Sequence, residues 1–170
     1  FLYDNDDYRI ESIIDKMTIL AKRYGVRVFV IDNLMTIESS YKDKYEAETD
    51  IVKKLKNFAK KYNALVHLVA HPRKAQNGQM GLDKSDISGS ANITNLADYV
   101  MIVQRIYEED GTDKHTELTI NKDRYMGCNG KVYLLFDKDR RRFYCKNGNG
   151  EELEVDYFMQ NLEQIGIDNW

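Results

Sequence analysis

Residues 26–33 read Val-Arg-Val-Phe-Val-Ile-Asp-Asn, and this stretch decides the predicted fold. The β-branched and aromatic run from Val26 to Ile31 has the length of one buried strand and follows a helical stretch. Because the run is apolar on both faces, it favours a parallel sheet that helices cover on each side. The strand ends at Asp32, and the carboxyl edge of such a sheet is where α/β proteins bind ligands.

Asp32 has two interpretations on this stretch alone. An acidic side chain at the edge of a sheet can hold a hydrated Mg²⁺ beside a nucleotide phosphate, because Mg²⁺ prefers oxygen ligands and retains bound water. The commoner role of an aspartate in this position is to cap the turn that follows the strand. The choice between these two roles depends on the rest of the chain.

The composition is typical of one soluble, globular domain. Of the 170 residues, 42% are hydrophobic and 31% are charged, which is enough chain for a sizeable core. The net charge of −3 provides no general attraction to nucleic acid, so any such site has to be a local patch. Cys128 and Cys145 have neither metal-ligand spacing nor a disulfide pattern, which favours a reducing, intracellular setting. No apolar run is long enough to span a membrane, and Phe1 in place of an initiator Met suggests a fragment.

A strand–helix–strand unit is predicted around the first strand. A helix is expected from Glu46 to Tyr62, with one apolar stripe and with lysines mostly on its other face. Those lysines form either a solvated face or a nucleic-acid patch. Ala64–Ala70 is a second strand, and two strands joined through a helix form a parallel pair with a right-handed crossover. Asp32 and His71 should therefore lie at the same edge of the sheet.

The later part of the chain predicts a loop and shorter strands. Ala75–Ser90 is a long polar loop, and loops of this length in a compact domain are usually functional. Tyr99–Val103 and Glu117–Lys122 are predicted strands. Val132–Phe136 and Arg142–Cys145 form a predicted closing hairpin.

The sequence changes character after Lys146. Asn147-Gly148-Asn149-Gly150 is typical of a linker, and an acidic segment follows it. We therefore predict a core domain over residues 1–146, and a linker with an acidic tail over residues 147–170.

Four segments, in this order and spacing, resemble the later part of the RecA-like motor of hexameric replicative DNA helicases. They are Val28-Phe29-Val30-Ile31-Asp32-Asn33, His71-Pro72-Arg73-Lys74, Gly89-Ser90-Ala91 with Ala97-Asp98 and Gln104-Arg105, and Asn121-Lys122-Asp123-Arg124-Tyr125 with Gly127 and Gly130. Each segment is weak on its own, whereas the ordered set is specific. The similarity is greater to the Twinkle and phage primase-helicase types than to DnaB. It implies an α/β fold, a partial RecA-like three-layer sandwich with a mainly parallel sheet and a C-terminal β-hairpin.

The resemblance implies a set of nucleotide-binding residues. Asp32 matches the acidic residue that positions Mg²⁺ beside ATP or another nucleoside triphosphate. His71 matches the sensor that contacts the γ-phosphate. Arg105 and Phe136 match positions that contact the nucleotide base, although a strand-end charge and a core aromatic remain as alternatives for them.

The resemblance also implies contacts to a neighbouring subunit and to DNA. Lys122 and Arg124 match a basic pair that crosses the subunit interface, and Arg124 takes the place of an arginine finger. The residues that match DNA-contacting positions are Arg73, Lys74, Gly89 and Ser90.

The parent protein that the resemblance implies is an enzyme, an ATP-dependent DNA helicase. It would act on single-stranded DNA as a homo-hexameric ring, with a primase as a candidate partner and with no membrane association. A cytoplasmic location in a bacterium or a phage-infected cell is expected, with the mitochondrial matrix or nucleoid as the alternative.

The chain also departs from the family pattern. No Gly-x-x-x-x-Gly-Lys-Ser/Thr occurs in the 170 residues, so they lack the loop that holds nucleotide phosphates. Asn33 follows Asp32, so no adjacent glutamate replaces the general base, which lies upstream in this family. In relatives, the strand that bears the phosphate loop lies beside the strand that ends at His71. Its absence from these residues should leave a sheet edge that is either uncovered or covered by a partner. We expect the chain alone to be inactive. The alternatives to a helicase are a RecA-type recombinase-like ATPase and a degenerate, non-catalytic RecA-like module.

Overall fold

The computed structural model describes residues 1–3, 6–71, 91–108, 110–146 and 151–153. The chain forms two compact units, residues 1–97 and residues 98–170. The first contains α1 (Ile10–Arg23), β1 (Val28–Ile31), a 3₁₀ helix (Leu34–Thr36), α2 (Lys44–Tyr62), β2 (Leu65–Leu68) and α3 (Ala91–Leu96). The second contains β3 (Tyr99–Tyr107), β4 (Asp113–Asp123), β5 (Gly130–Asp137), β6 (Arg142–Lys146) and β7 (Glu152–Leu153). Within the described ranges, no helix combines the length and the apolar character needed to cross a membrane.

The predicted strand–helix–strand unit is present in the first unit. β1 and β2 pair in parallel, with Ile31 opposite Leu68, and α2 connects them. This helix begins at Lys44 because Asp43 caps it: Oδ1 of Asp43 accepts a hydrogen bond from a backbone N–H of the first turn at 2.9 Å. It ends where Asn63 adopts a left-handed conformation with a φ of 47°.

Helices cover one face of this parallel pair. Phe29 of β1 is buried, and its ring meets Phe58 of α2 edge-on with 5.2 Å between centroids. The opposite face bears Val28 and Val30, which are 57% and 68% exposed. The predicted three-layer sandwich is therefore incomplete in the described residues, among which β2 also has no second neighbouring strand.

The second unit contains a five-stranded antiparallel sheet in the order β3-β4-β5-β6-β7. The prediction of a mainly parallel sheet is wrong, because the described residues contain more hairpins than crossovers. Antiparallel neighbours can be joined by short turns, whereas parallel neighbours need a connection of about a dozen residues or more. The connections here span only residues 108–112, 124–129 and 138–141, so each strand reverses direction.

The predicted C-terminal hairpin is confirmed by the antiparallel pairing of β5 and β6. In its turn, the Asp137 carboxylate accepts hydrogen bonds from the backbone N–H groups of Arg140 and Asp139. The bond from Arg140 is the main reason that the pKa of Asp137 is lowered. β7 pairs with β6, and the rest of the predicted linker and tail lies outside the described residues.

Candidate functional site

The carboxyl edge of the parallel pair bears both Asp32 and His71, as predicted. β1 ends at Ile31, and the two chain segments continue side by side, because the N–H of Leu34 donates to the carbonyl of Val69 at 2.8 Å. Both predicted site residues follow directly from this edge and are exposed. The peptide bond that follows Asp32 is cis.

Asn33 contacts His71 at this edge. Its side-chain nitrogen lies 3.3 Å from Nε2 of His71. The orientation of the amide follows from its other end, where Oδ1 accepts a hydrogen bond from the N–H of Met35 at 2.9 Å. Nε2 is therefore the acceptor, which places the proton of a neutral His71 on Nδ1. Asn33 is absent from the residues predicted from the sequence, although a carboxamide directly after a strand is a signal that could have indicated it.

Asp32 is the residue predicted to hold a metal ion at this edge. Among the described residues, no three His, Cys, Asp or Glu side chains form a group that could hold a metal. A single carboxylate suits Mg²⁺ in the arrangement it has beside nucleotides, where phosphate oxygens and water complete the octahedron. The residues present therefore fit a Mg²⁺ that arrives with a nucleotide, and they do not form a self-sufficient metal cage.

Arg124 lies in the turn after β4, and Asp98 holds it there. The backbone N–H of Arg124 donates to the Asp98 carbonyl at 2.9 Å, and its Nε lies 3.1 Å from Asp98 Oδ1. Asp123 stabilises the turn, because its Oδ1 accepts hydrogen bonds from the N–H groups of Tyr125 and Met126. The Arg124 side chain is half-exposed, so it is positioned and still reachable by a ligand. Asp98 was not predicted, because a partner so distant in sequence depends on the strand register.

Lys122 lies beside this turn, near the end of β4 and opposite Val100 of β3. The next residue pair in the ladder is Tyr99 and Asp123. Partial burial, followed by the nearby Asp123 charge, raises the pKa of Tyr99. Lys122 and Arg124 are thus brought together at one end of the antiparallel sheet.

Arg105 and Phe136 line one cavity of about 300 Å³ within the second unit. Arg105 pairs with Asp113 at 2.5 Å, and its guanidinium lies 5.8 Å from the ring centroid of Tyr107. Phe136 is 44% exposed, so it is not a core aromatic, and its ring packs against Phe143 with 5.0 Å between centroids. An exposed aromatic ring in the same cavity as a guanidinium suits stacking with a flat heterocycle.

The four residues predicted to contact DNA are not among those that the structure describes. They are Arg73, Lys74, Gly89 and Ser90. The predicted polar loop over Ala75–Ser90 also lies outside the described residues. Their contact with DNA therefore stays a prediction.

Residues 1–145 match the family model of the DnaB-like helicase C-terminal domain. The chain belongs to this family. The matched range includes the Asp32 edge, the Arg124 turn and all the residues that line the cavity of Arg105. The family that the ordered motifs indicate is therefore confirmed.

Two relatives illustrate how much of a DnaB-like protein this chain represents. It is 29% identical over 137 residues to the Twinkle homolog protein, chloroplastic/mitochondrial, of Arabidopsis thaliana, which covers 76% of this chain and 19% of that protein. It is 27% identical over 166 residues to the replicative DNA helicase DnaB of Mycoplasma pneumoniae, which covers 87% of this chain and 34% of that protein. The chain thus spans about a fifth and about a third of the length of these relatives.

A solved structure of a DnaB-like replicative helicase, described with its interactions with primase, has a similar fold. The TM-score is 0.67 at 24% sequence identity, over 80% of this chain and 35% of that chain. The similarity supports the fold assignment of the DnaB-like domain, including its combination of helices with sheets.

Proposed function

We propose that this DnaB-like domain is the later portion of the motor of an ATP-dependent replicative DNA helicase. Hydrolysis of ATP, or of another nucleoside triphosphate, between two subunits would drive unwinding and movement along a single strand. The supporting observation is the arrangement of Asp32, Asn33 and His71 at one sheet edge in a chain of this family. That arrangement suits contact with the phosphate end of a Mg²⁺-bound nucleotide.

The sheet edge would sense the terminal phosphate. Asp32 would hold the water shell of the nucleotide-bound Mg²⁺. Because Nε2 of His71 accepts from Asn33, the Nδ1–H of the ring is left to donate to a phosphate oxygen. Asn33 also accepts from Met35, so a movement of His71 would be transmitted to the segment after β1.

Arg124 would act on the nucleotide of the neighbouring subunit, with Lys122 beside it. An arginine finger supplies positive charge where the transferring phosphoryl group develops negative charge. Asp98 fixes both the backbone and the Nε of Arg124, which would orient the guanidinium before nucleotide arrives. A guanidinium has five N–H donors, so pairing at Nε is compatible with a second contact to phosphate.

The cavity of the second unit would receive the nucleotide base. Phe136 offers an exposed ring for stacking, and Arg105 offers charge and N–H donors in the same cavity. Stacking on an aromatic ring tolerates any base, because every base has a π-face. Such stacking agrees with a motor that accepts several nucleoside triphosphates.

The proposed helicase would also bind DNA and other subunits. Single-stranded DNA would pass along Arg73, Lys74, Gly89 and Ser90, with charge-driven binding and little sequence preference. We propose a homo-hexameric ring, the assembly that the family resemblance implies, and a finger that acts between copies is compatible with it. Primase is a candidate partner, because the structural neighbour is described with its interactions with primase. We propose a cytoplasmic parent protein in a bacterium or a phage-infected cell, with the mitochondrial matrix as the alternative.

The isolated 170-residue chain should not turn over ATP. Its 170 residues contain no phosphate-binding loop and no general base next to Asp32. They can therefore neither hold the nucleotide phosphates nor activate the attacking water. Single-turnover hydrolysis of radiolabelled ATP should match the Asp32→Ala variant and the buffer blank. Hydrolysis by the pure chain that Asp32→Ala abolishes would contradict this prediction.

Replacing Arg73 and Lys74 together by Ala in the complete motor should weaken single-strand binding and make it less salt-dependent. Each lost phosphate contact reduces the slope of log K against log salt by about 0.7 for single strands, so the pair should reduce it by about 1.4. Fluorescence anisotropy of a labelled oligonucleotide across a salt series measures the slope. The matched control replaces Lys53 and Lys60, both exposed on α2, and tests the alternative that the helix lysines form the patch. An unchanged slope in the first variant, or an equal change in the control, would remove Arg73 and Lys74 from the DNA path.

A further inference from the structure

Asp113, the first residue of β4, is a charged group of the second unit to which the proposed function assigns no role. Its Oδ2 accepts a hydrogen bond from Nη2 of Arg105 at 2.5 Å. Both residues line the cavity that would receive the nucleotide base. Asp113 is therefore bonded to a residue of the proposed site within that same cavity.

A register shift between β3 and β4 determines which residue lies near this guanidinium. Ile106 lies opposite His115, so an unbroken ladder would place Lys114 opposite the next residue of β3. The register shifts at this point, and Tyr107 lies opposite Asp113 instead. The shift places an acidic side chain where a basic one would otherwise lie. β-bulges, which are shifts of this kind, often re-aim a side chain beside a functional site.

The hairpin that precedes Asp113 is closed by other bonds. The N–H of Glu108 donates to the carbonyl of Thr112 at 2.9 Å. The Oδ1 of Asp110 accepts hydrogen bonds from both the N–H and the hydroxyl of Thr112. The Arg105 side chain of the ion pair is half-exposed, and an ion pair of this kind contributes little to stability. The main effect of the pair is therefore on the position of the guanidinium.

Tyr107 makes a second contact with the Arg105 side chain. The central guanidinium carbon lies 5.8 Å from the ring centroid of Tyr107, which is within the range of a cation–π interaction. A carboxylate and an aromatic ring together restrict a long side chain that would otherwise sample many rotamers. A guanidinium has five N–H donors, so its pairing with one carboxylate leaves donors for a ligand.

We propose that Asp113 is a positioning residue that keeps the Arg105 guanidinium oriented in the base cavity. A long side chain that has to be ordered on binding lowers the affinity for the ligand. The bond to Asp113 orders Arg105 before the nucleotide arrives, so binding of the base requires less ordering. The inference rests on the proposed function, in which this cavity receives the base, and it adds a residue that acts through Arg105.

The direct test measures ATP turnover by the complete motor with Asp113→Asn, which keeps the side-chain shape and removes the charge. The KM for ATP should rise about 2–10-fold, the effect of one long side chain that has to be ordered on binding. The kcat should stay the same, because contacts to the base are equally strong in the ground state and the transition state. An unchanged KM would overturn the proposal.

Three further variants are the controls for this measurement. Asp15→Asn makes the same chemical change at an exposed position of α1 and should leave KM and kcat unchanged. Asp113→Glu keeps a carboxylate, so its KM should lie nearer to that of the unchanged motor than the KM of Asp113→Asn does. Asp113→Ala also removes the charge, and it replaces Asp113→Asn if amide hydrogen exchange shows that the asparagine disturbs the hairpin. A KM in Asp15→Asn that rises as much as in Asp113→Asn would overturn the proposal.

Inorganic triphosphate distinguishes an effect on the base from a general effect on the nucleotide site. This probe has the phosphates of ATP and no base, so it does not depend on the base cavity. Its competitive inhibition constant should be the same for Asp113→Asn as for the unchanged motor. A purely structural role of Asp113 would weaken the binding of both ligands. A rise in the inhibition constant equal to the rise in KM for ATP would therefore overturn the proposal.

A double-mutant cycle tests whether Asp113 acts through Arg105. Arg105→Ala should raise the KM for ATP at least as much as Asp113→Asn, because it removes the oriented group itself. The double variant should have the same KM as Arg105→Ala, since no guanidinium is left to be positioned. If the two effects multiply in the double variant, Asp113 acts independently of Arg105 and the positioning role is wrong.

Arg105→Ala also separates failure of this inference from failure of the proposed function. If Arg105→Ala raises the KM for ATP and Asp113→Asn does not, the base cavity is supported and the positioning role alone is overturned. If neither variant changes the KM, the cavity does not receive the base, and that part of the proposed function is overturned together with the inference.

Discussion

Arg124→Ala in the complete motor is expected to lower ATP turnover by roughly 10³–10⁵-fold, the effect of losing an arginine finger. The guanidinium would stabilise charge that develops on the neighbour's phosphoryl group, so the loss should appear in turnover and not in folding. An arginine that is only a surface charge would change stability by within about 0.5 kcal/mol and leave turnover alone. Steady-state ATPase assays and a urea titration of the same variant separate these outcomes.

Mixed rings test whether Arg124 acts between subunits. One subunit type has Arg124→Ala, and the other has a disabled phosphate loop and an intact Arg124. Each type alone should be nearly inactive, whereas mixed rings should recover activity wherever an intact nucleotide site faces an intact finger. Native mass spectrometry confirms that mixed rings assemble. Assembly without any recovered turnover would show that Arg124 does not act across the interface.

Asp98→Asn tests whether Asp98 positions the Arg124 finger. The Asp98 carboxylate lies 3.1 Å from Nε of Arg124, so the variant keeps the side-chain shape and removes the charge that orients the finger. A small misplacement of a catalytic group can cost up to about 10²-fold in turnover, and Asp98→Asn should therefore lower kcat while KM stays unchanged. Asp139→Asn, an exposed aspartate in the β5–β6 turn, is the matched control. Unchanged turnover would exclude a positioning role for Asp98.

The strand–helix–strand unit is predictable because its signals are local and agree with one another. β1 is a short β-branched run and α2 has an apolar stripe of helical period. A helix is the usual connection between parallel neighbours, which need a dozen or more linking residues. Asp32 and His71 could therefore be placed at one edge from the sequence. Their connection through Asn33 could not, because it depends on the amide orientation that Met35 fixes.

The antiparallel sheet is less predictable because backbone pairing extends its strands beyond their apolar residues. β3 continues through Arg105 to Tyr107, and β4 begins at Asp113, whereas the sequence predicts strands that end at Val103 and begin at Glu117. A strand paired to a neighbour tolerates polar residues that an isolated pattern would exclude. The Asp98–Arg124 pair and the Arg105–Phe136 cavity depend on the same register, which explains why residue patterns alone did not reveal their geometry.

Phe58→Ala is expected to lower the free energy of unfolding of the first unit by about 3–5 kcal/mol, the usual cost of removing a buried phenylalanine. Phe58 is 3% exposed, and its ring packs edge-on against Phe29 at 5.2 Å and against Tyr62 at 4.9 Å. It thus joins α2 to β1, the strand that ends at Asp32. Because the chain has two units, amide hydrogen exchange of β1 and β2 measures the local effect.

Phe1→Ala is the matched control, since it makes the same chemical change in the same unit at a position that is 85% exposed. It should change the stability of β1 and β2 by within about 0.5 kcal/mol. If Phe58→Ala does not fold, Phe58→Leu preserves much of the volume and should cost about 1 kcal/mol. In Phe58→Ala, the N–H of Leu34 should also exchange faster. This N–H donates to the Val69 carbonyl beside the site, and the edge of the strand pair depends on the packing of α2 against β1. Equal exchange rates in Phe58→Ala and Phe1→Ala would show that the packing of α2 on β1 does not hold the Asp32–His71 edge in place.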